Sequence, residues 1–163
     1  MLTGAGVLLI CNNKLVLGLD WTDSFADFGG AREAGMTLLE TASKELFEET
    51  AMLFSITPRA LLGKKYLDLD KYRCYLIRFN GNADSILREF ILNKELVQAR
   101  GYEWNEVSML AAYDLTLINH IPLRKRTKRI IAKIDNELIE SLPLTQGTKI
   151  VDKYTGMTSY YFN

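Results

Sequence analysis

Residues 29–52 read GGAREAGMTLLETASKELFEETAM and place two adjacent glycines a few residues before an acidic, helix-forming segment. Thr37 and Glu40 have the spacing of a capping box, in which each side chain accepts a hydrogen bond from the other residue's backbone. This pattern predicts a helix that starts near Leu38. The glycine pair before it permits a backbone that approaches a ligand closely.

Three carboxylates lie on one face of this predicted helix. Glu45, Glu48 and Glu49 are three and four positions apart, so their side chains converge. Magnesium suits such a cluster, because it prefers carboxylate oxygens and bridges proteins to phosphates. A solvated helix face, with Lys44 and Arg32 as counterions, is the alternative interpretation.

Runs of apolar residues predict strands on both sides of this segment. Gly4–Ile10 and Leu15–Leu17 flank two asparagines and predict a hairpin. The other predicted strands are Phe54–Gly63, Tyr72–Phe79 and Gly101–Trp104. Helices are predicted at Asn82–Gln98 and at about 122–142, the latter as one long C-terminal helix.

Composition favours one globular domain spanning residues 1–163, with 48% hydrophobic residues. The formal net charge is zero, so no global field steers the protein toward nucleic acid or membrane. Cys11 and Cys74 are too few for a disulfide framework. No apolar run reaches the roughly 20 residues of a membrane span, and the N-terminal run is interpreted as a strand. We therefore expect a cytoplasmic location and no membrane partner.

The order of glycine turn, loop, capped helix and acid cluster resembles the Nudix box, G-x5-E-x7-R-E-U-x-E-E-x-G-U, where U is aliphatic. The positions that match are Gly30, Glu45, Leu46, Glu48, Glu49 and Met52. Three positions depart from the pattern. Met36 replaces the first glutamate, Lys44 the arginine and Ala51 the second glycine. Lys44 keeps the charge without the bidentate fork of arginine, and Glu33 is a candidate to replace part of the lost acidic partner.

This resemblance implies an α/β fold, a Nudix-like α/β/α sandwich around a mixed sheet. It also implies hydrolysis, with Mg²⁺ or Mn²⁺, of a nucleoside diphosphate linked to another moiety such as a sugar or ADP-ribose. Glu45, Glu48 and Glu49 are the implied metal ligands, and Glu48 and Glu49 are also assigned catalytic roles. Gly29, Gly30 and Lys44 are assigned to substrate binding. Glu103 is a catalytic candidate outside the box, and an exposed acid before Trp104 is the alternative.

The identity of the substrate stays open at this stage. The basic segment 124–129, RKRTKR, could bind the phosphates of RNA or of a highly phosphorylated ligand. Capped RNA and dinucleoside polyphosphates are therefore alternative substrates, although acids follow on the same predicted helix. Candidates to stack on a base are Trp21, Phe25, Phe28, Tyr66 and Tyr72.

Two non-enzymatic alternatives also stay open. The changes at Met36 and Lys44 suit a catalytically degenerate Nudix module that binds a nucleotide without cleaving it. An unrelated α/β interaction domain is the other alternative. The sequence leaves a homodimer open.

Overall fold

The computed structural model describes residues 1–104 and 106–163. In these residues the strands are β1 (Gly4–Cys11), β2 (Lys14–Asp20), β3 (Phe25–Ala26), β4 (Phe28–Ala31), β5 (Phe54–Ile56), β6 (Tyr66–Leu69), β7 (Tyr72–Phe79), β8 (Val107–Tyr113), β9 (Gly147–Val151) and β10 (Thr158–Phe162). The helices are α1 (Leu38–Glu49), α2 (Pro58–Leu62), α3 (Ala83–Ala99), α4 (Lys125–Ile131) and α5 (Asn136–Ser141), with a 3₁₀ helix at Leu115–His120. None of the helices described is long and apolar enough to cross a membrane.

A large mixed sheet forms the centre of the molecule. Its strands run in the order β3-β2-β1-β7-β6, with β4 paired to β1 and β8 paired to β2. The β1–β7 pair is parallel and the other pairs are antiparallel. A smaller sheet has the order β5-β10-β9. The predicted β1–β2 hairpin is confirmed.

Both faces of β1 are buried, which explains its nearly continuous apolar sequence. Val7 and Leu9 face one core, which includes Leu46 of α1 and Phe90 of α3. Leu8 and Ile10 face the other core, which includes apolar residues of α4 and α5. Helices therefore cover both sides of the sheet, and the predicted α/β/α sandwich around a mixed sheet is confirmed.

The helix with the acid cluster begins where the capping box predicts. Thr37 Oγ1 accepts a hydrogen bond from the Glu40 N–H at 3.1 Å, and the Glu40 carboxylate accepts one from the Thr37 N–H at 3.3 Å. The α1 helix packs on β1 and β4, so its acids lie beside the two glycines of β4. The prediction of a turn at the glycine pair was wrong, because Gly29 and Gly30 lie within β4 and pair with β1. The glycine pair and the acid cluster are nevertheless placed together by adjacent elements.

Three predicted elements were wrong. The predicted strand Phe54–Gly63 ends at Ile56, because Thr57 caps α2 and Pro58 occupies its first turn. The predicted strand Gly101–Trp104 is not a strand, since β8 begins only at Val107.

The predicted long helix at 122–142 is two short helices, α4 and α5. The α4 helix ends at Ile131, and Asp135 starts α5 by accepting a hydrogen bond from the Leu138 N–H at 2.8 Å. The break between them turns residues of both helices toward the sheet: Ile130, Ile131 and Ile139 are buried in the same core.

Candidate active site

The acid face of α1 lines a pocket of about 270 Å³. Its walls bring together residues from α1, from the loop before it and from the segment before β8. The lining residues are Glu33, Lys44, Glu45, Glu48, Glu49, Glu103, Trp104 and Glu106. Six carboxylates therefore share this pocket with a single lysine among the described residues. Glu45, Glu48 and Glu49 line the same pocket, as their spacing on the helix predicted.

Lys44 joins two of these acids. Its Nζ lies 2.9 Å from Glu33 Oε1 and 3.4 Å from Glu48 Oε1. Hydrogen bonding to Glu33 raises the pKa of Lys44, and the charge of Glu48 adds to this effect against opposing burial. The expectation that Glu33 replaces a missing acidic partner agrees with this ion pair, which ties the loop to the helix although Met36 carries no charge.

Glu45 packs directly against Gly30 of β4. A Cβ added at Gly30 would lie 2.8 Å from Glu45 Oε1, so a larger residue at position 30 would displace this carboxylate. Burial raises the pKa of Glu45, and the negative charges of Glu48 and Glu106 raise it further. Lys44 opposes this shift only in part. The glycine at position 30 therefore leaves space for the Glu45 carboxylate.

Glu49 is the most perturbed acid of the cluster. Burial, together with the charges of Glu45, Glu106 and Asp27, raises its pKa to about 9, although a backbone hydrogen bond from Gly29 opposes the shift. Its Oε1 atom is buried and has no hydrogen-bond partner in the described part of the chain. A buried oxygen without a partner is unfavourable by itself. The site therefore presents an acceptor for a ligand.

The segment before β8 supplies two further acids. Trp104 packs edge-on against Phe47 of α1, with ring centroids 6.0 Å apart, and this contact holds the segment beside the pocket. Glu103, the candidate chosen from sequence, lines the pocket. Glu106, which sequence reasoning missed, lines both this pocket and the adjacent cleft, and its charge acts on Glu45 and Glu49. It precedes β8 directly, so a correct strand start at Val107 would have indicated it.

A buried polar network surrounds Asp27, the residue that immediately precedes β4. Asp27 accepts hydrogen bonds from the Tyr72 hydroxyl at 2.6 Å and the Thr127 hydroxyl at 2.5 Å. Arg126 Nη2 lies 3.2 Å from Asp27 Oδ1 and also donates to the Asp27 carbonyl. Burial, then the charge of Asp27, raises the pKa of Tyr72 well above its ordinary value. This network joins Asp27, which lies between β3 and β4, to β7 and α4.

Glycines make this network possible. A Cβ at either Gly6 or Gly29 would lie 1.9 Å from the Tyr72 hydroxyl oxygen. The Tyr72 side chain therefore lies across the sheet face over Gly6 of β1 and Gly29 of β4 to reach Asp27. Gly29 serves this packing, in addition to its hydrogen bond to Glu49.

Solved structures share this arrangement of elements. A bifunctional NMN adenylyltransferase/ADP ribose pyrophosphatase of Francisella tularensis, complexed with AMP and a Mn ion, has a TM-score of 0.51 and 17% identity over 81% of this chain and 40% of that chain. A mutT/nudix family protein of Listeria innocua has a TM-score of 0.52 and 12% identity, over 80% and 88% of the two chains. An Ap4A hydrolase of C. elegans, in a binary complex, has a TM-score of 0.51 and 13% identity over 80% and 93%. The chain has the Nudix fold.

The likeness is structural. No protein-family model matches the sequence, and no curated protein matches it. The chain spans 40% of the length of the bifunctional Francisella protein. The Nudix fold accounts for the position of the acid cluster, which lies on α1, the helix that follows β4 and its two glycines.

The Nudix-box acids offer suitable donors for a divalent cation. In residues 1–104 and 106–163, no group of three or more His, Cys, Asp or Glu side chains is already arranged around a metal position. The buried, unpartnered Glu49 Oε1 and the all-carboxylate donor set nevertheless fit Mg²⁺ or Mn²⁺. Binding would require the carboxylates to reorient, and Glu48 to leave or share its contact with Lys44.

The raised pKa of Glu49 predicts a pH effect in the metal-free protein. The unfolded chain releases the Glu49 proton near pH 4.5, whereas the folded protein retains it up to about pH 9. Between these values the unfolded state binds fewer protons, so the contribution of Glu49 to the free energy of unfolding falls as pH rises.

Urea denaturation in EDTA between pH 5 and 9 measures this effect on the wild type and on Glu49→Gln. The glutamine variant is expected to gain stability relative to the wild type as pH rises. A difference between the two proteins that does not change with pH would contradict the assigned environment of Glu49.

Proposed function

We propose that the chain is a metal-dependent pyrophosphohydrolase that cleaves a nucleoside diphosphate linked to another moiety. The observation that carries this proposal is the buried, unpartnered Glu49 oxygen among acids that repel one another, next to the glycine pair of β4. A divalent cation would stabilise such a cluster, since among the described residues Lys44 is the one cation that lines this pocket. The similar Francisella tularensis protein was crystallised with AMP and a Mn ion, which supports a nucleotide and Mn²⁺ or Mg²⁺.

In the proposed reaction, a water oxygen bonds to one phosphorus of the pyrophosphate and the bond from that phosphorus to the bridging oxygen breaks. Glu45, Glu48 and Glu49 would hold the metal, which would supply positive charge to neutralise phosphate charge and to lower the pKa of the attacking water. Gly29 and Gly30 remain proposed substrate-binding residues because both line the cavity next to the acid pocket, and Lys44 orients Glu48.

The proposed proton acceptor lies in the segment before β8. Glu103 lines the pocket with the metal-binding acids, and so does Glu106. A carboxylate there can accept the proton of the attacking water as general base. Glu106 is favoured over Glu103, because its charge acts on both Glu45 and Glu49. Glu103 remains a predicted catalytic residue.

RNA binding by the segment 124–129 and a homodimer remain predictions. Within the basic segment, Arg126 points inward to Asp27, and Arg129 pairs with Asp70 at 2.7 Å. Arg126 is therefore withdrawn from a simple RNA-binding face, whereas the exposed Arg129–Asp70 pair can exchange for a ligand. The other cations of the segment are available to a smaller phosphorylated ligand.

Turnover of a nucleotide panel tests the proposal. The panel contains ADP-ribose, nucleotide sugars, nucleoside triphosphates, dinucleoside polyphosphates and capped RNA, incubated with protein and Mg²⁺ or with EDTA. Chromatographic separation is expected to show products of phosphoric anhydride cleavage in Mg²⁺ and none in EDTA. Mg²⁺-dependent nucleotide binding without product across the panel would instead support the degenerate binding module.

A further inference from the structure

A second cavity, here called the cationic cleft, adjoins the acid pocket and has a volume of about 700 Å³. Gly30, Glu45 and Glu106 line it on the side of the proposed metal site, and Glu45 and Glu106 also line the acid pocket. Among the described residues, the cations that line it are Lys71, Arg124, Lys125, Arg126 and Arg129. The carboxylate cluster and the cationic cleft therefore share two lining residues, Glu45 and Glu106.

Two of these cations already have partners. Arg126 is bound to the buried carboxylate of Asp27, so its charge is already paired within the protein. Arg129 pairs with Asp70, and both side chains are about half exposed or more. An exposed pair of this kind contributes little to stability and can exchange for a ligand.

The other three cations have no such partner. In the part of the chain that the structure describes, no carboxylate lies within 4 Å of the side-chain nitrogens of Lys71, Arg124 or Lys125. The charge of Arg124 acts on Asp20 from beyond this distance, and all three cations line the cleft. A chain of phosphates is the ligand chemistry that three adjacent cations recognise, through charge-assisted hydrogen bonds.

An exposed tryptophan stands at the edge of the same cleft. Trp21 is 81% exposed and lines the cationic cleft. The turn that carries it is held by Asp20, whose Oδ1 accepts hydrogen bonds from the backbone N–H groups of Thr22 at 2.8 Å and Ser24 at 3.3 Å. A flat apolar ring on such a turn is a platform on which a nucleobase can stack.

We propose that this cleft binds a nucleotide with three or more consecutive phosphates. The inference rests on the proposed function and names its substrate class: the moiety linked to the nucleoside diphosphate is itself phosphate. Trp21 stacks on the base. Lys71, Arg124 and Lys125 bind phosphates beyond those held at the metal site. A sugar in that place would leave these cations facing an uncharged group.

Equilibrium dialysis in Mg²⁺ with methylene-bridged analogues, whose bridged positions resist hydrolysis, tests the proposal independently of turnover. Adenosine analogues with two, three and four phosphates are compared with ADP-ribose. In the wild type, the third phosphate is expected to lower Kd about ten-fold. Lys125→Ala should lose most of this gain. Lys128→Ala is the matched control, since Lys128 is exposed on the same helix but does not line the cleft.

Trp21→Ala should raise Kd about ten-fold for every analogue regardless of phosphate number. Tyr154→Ala is its control, because Tyr154 is 87% exposed and does not line this cleft. The proposal is overturned if Kd does not depend on the third phosphate, or if Lys125→Ala behaves like Lys128→Ala.

The two proposals can fail separately. Phosphate-dependent binding without product in the substrate panel would retain the polyphosphate site and reject the hydrolase. Mg²⁺-dependent cleavage of ADP-ribose with no effect of phosphate number would do the reverse. Tetraphosphate analogues that carry adenosine at one end or at both ends are then compared. The analogue that binds more tightly shows whether the cleft accepts a mononucleotide or a dinucleoside polyphosphate.

Discussion

Asp27→Ala is expected to lower the free energy of unfolding by about 3–5 kcal/mol, the scale for breaking a buried ion pair from one side. The Asp27 side chain is fully buried, and the Arg126 side chain is 18% exposed. Removing the carboxylate leaves the Arg126 guanidinium without its partner. It also leaves the Tyr72 and Thr127 hydroxyls without their acceptor.

Urea denaturation at neutral pH measures this loss. Asp84→Ala is the control, because Asp84 is exposed in the first turn of α3 and is expected to cost less than about 1 kcal/mol. An equal decrease in the free energy of unfolding for the two variants would show that the hydrogen-bond network around Asp27 does not stabilise the fold.

Glu49→Gln is expected to reduce Mg²⁺-dependent turnover by on the order of 10³-fold, as when a principal electrostatic contributor is removed. Glutamine keeps the size of the side chain but cannot supply a negative charge to a cation. Because the pKa of Glu49 is about 9 without metal, the wild-type side chain is neutral at pH 7 and glutamine resembles that form. The variant should therefore fold.

Initial rates in saturating Mg²⁺, on whichever panel substrate the wild type cleaves, provide the measurement. Glu95→Gln is the control, since Glu95 is exposed on α3 and does not line the acid pocket. A Glu49→Gln variant with wild-type turnover would remove Glu49 from the mechanism.

Local signals in the sequence predicted the centre of the site. The Thr37 capping box fixed the start of α1, and helical spacing then placed Glu45, Glu48 and Glu49 on one face. The apolar run of β1 was recognised because a strand buried on both faces carries few polar residues. These features depend on neighbours within a few positions along the chain.

The features that were missed depend on contacts between distant residues or on single caps. Asp27 is separated by 99 positions from Arg126, and no local pattern indicates that pair. The helix predicted at 122–142 was wrong because the cap at Asp135 was not recognised as a second helix start. Glu106 was missed since the start of β8 was misplaced by several residues.

Titration of the metal-free protein with Mn²⁺, followed by the electron paramagnetic resonance signal of the free ion, tests the central claim most directly. The claim is that the acid face of α1 holds a divalent cation. The wild type is expected to bind Mn²⁺ in competition with Mg²⁺, and Glu49→Gln to bind it at least about ten-fold more weakly. Equal binding by the two proteins, or no binding by the wild type, would contradict the account.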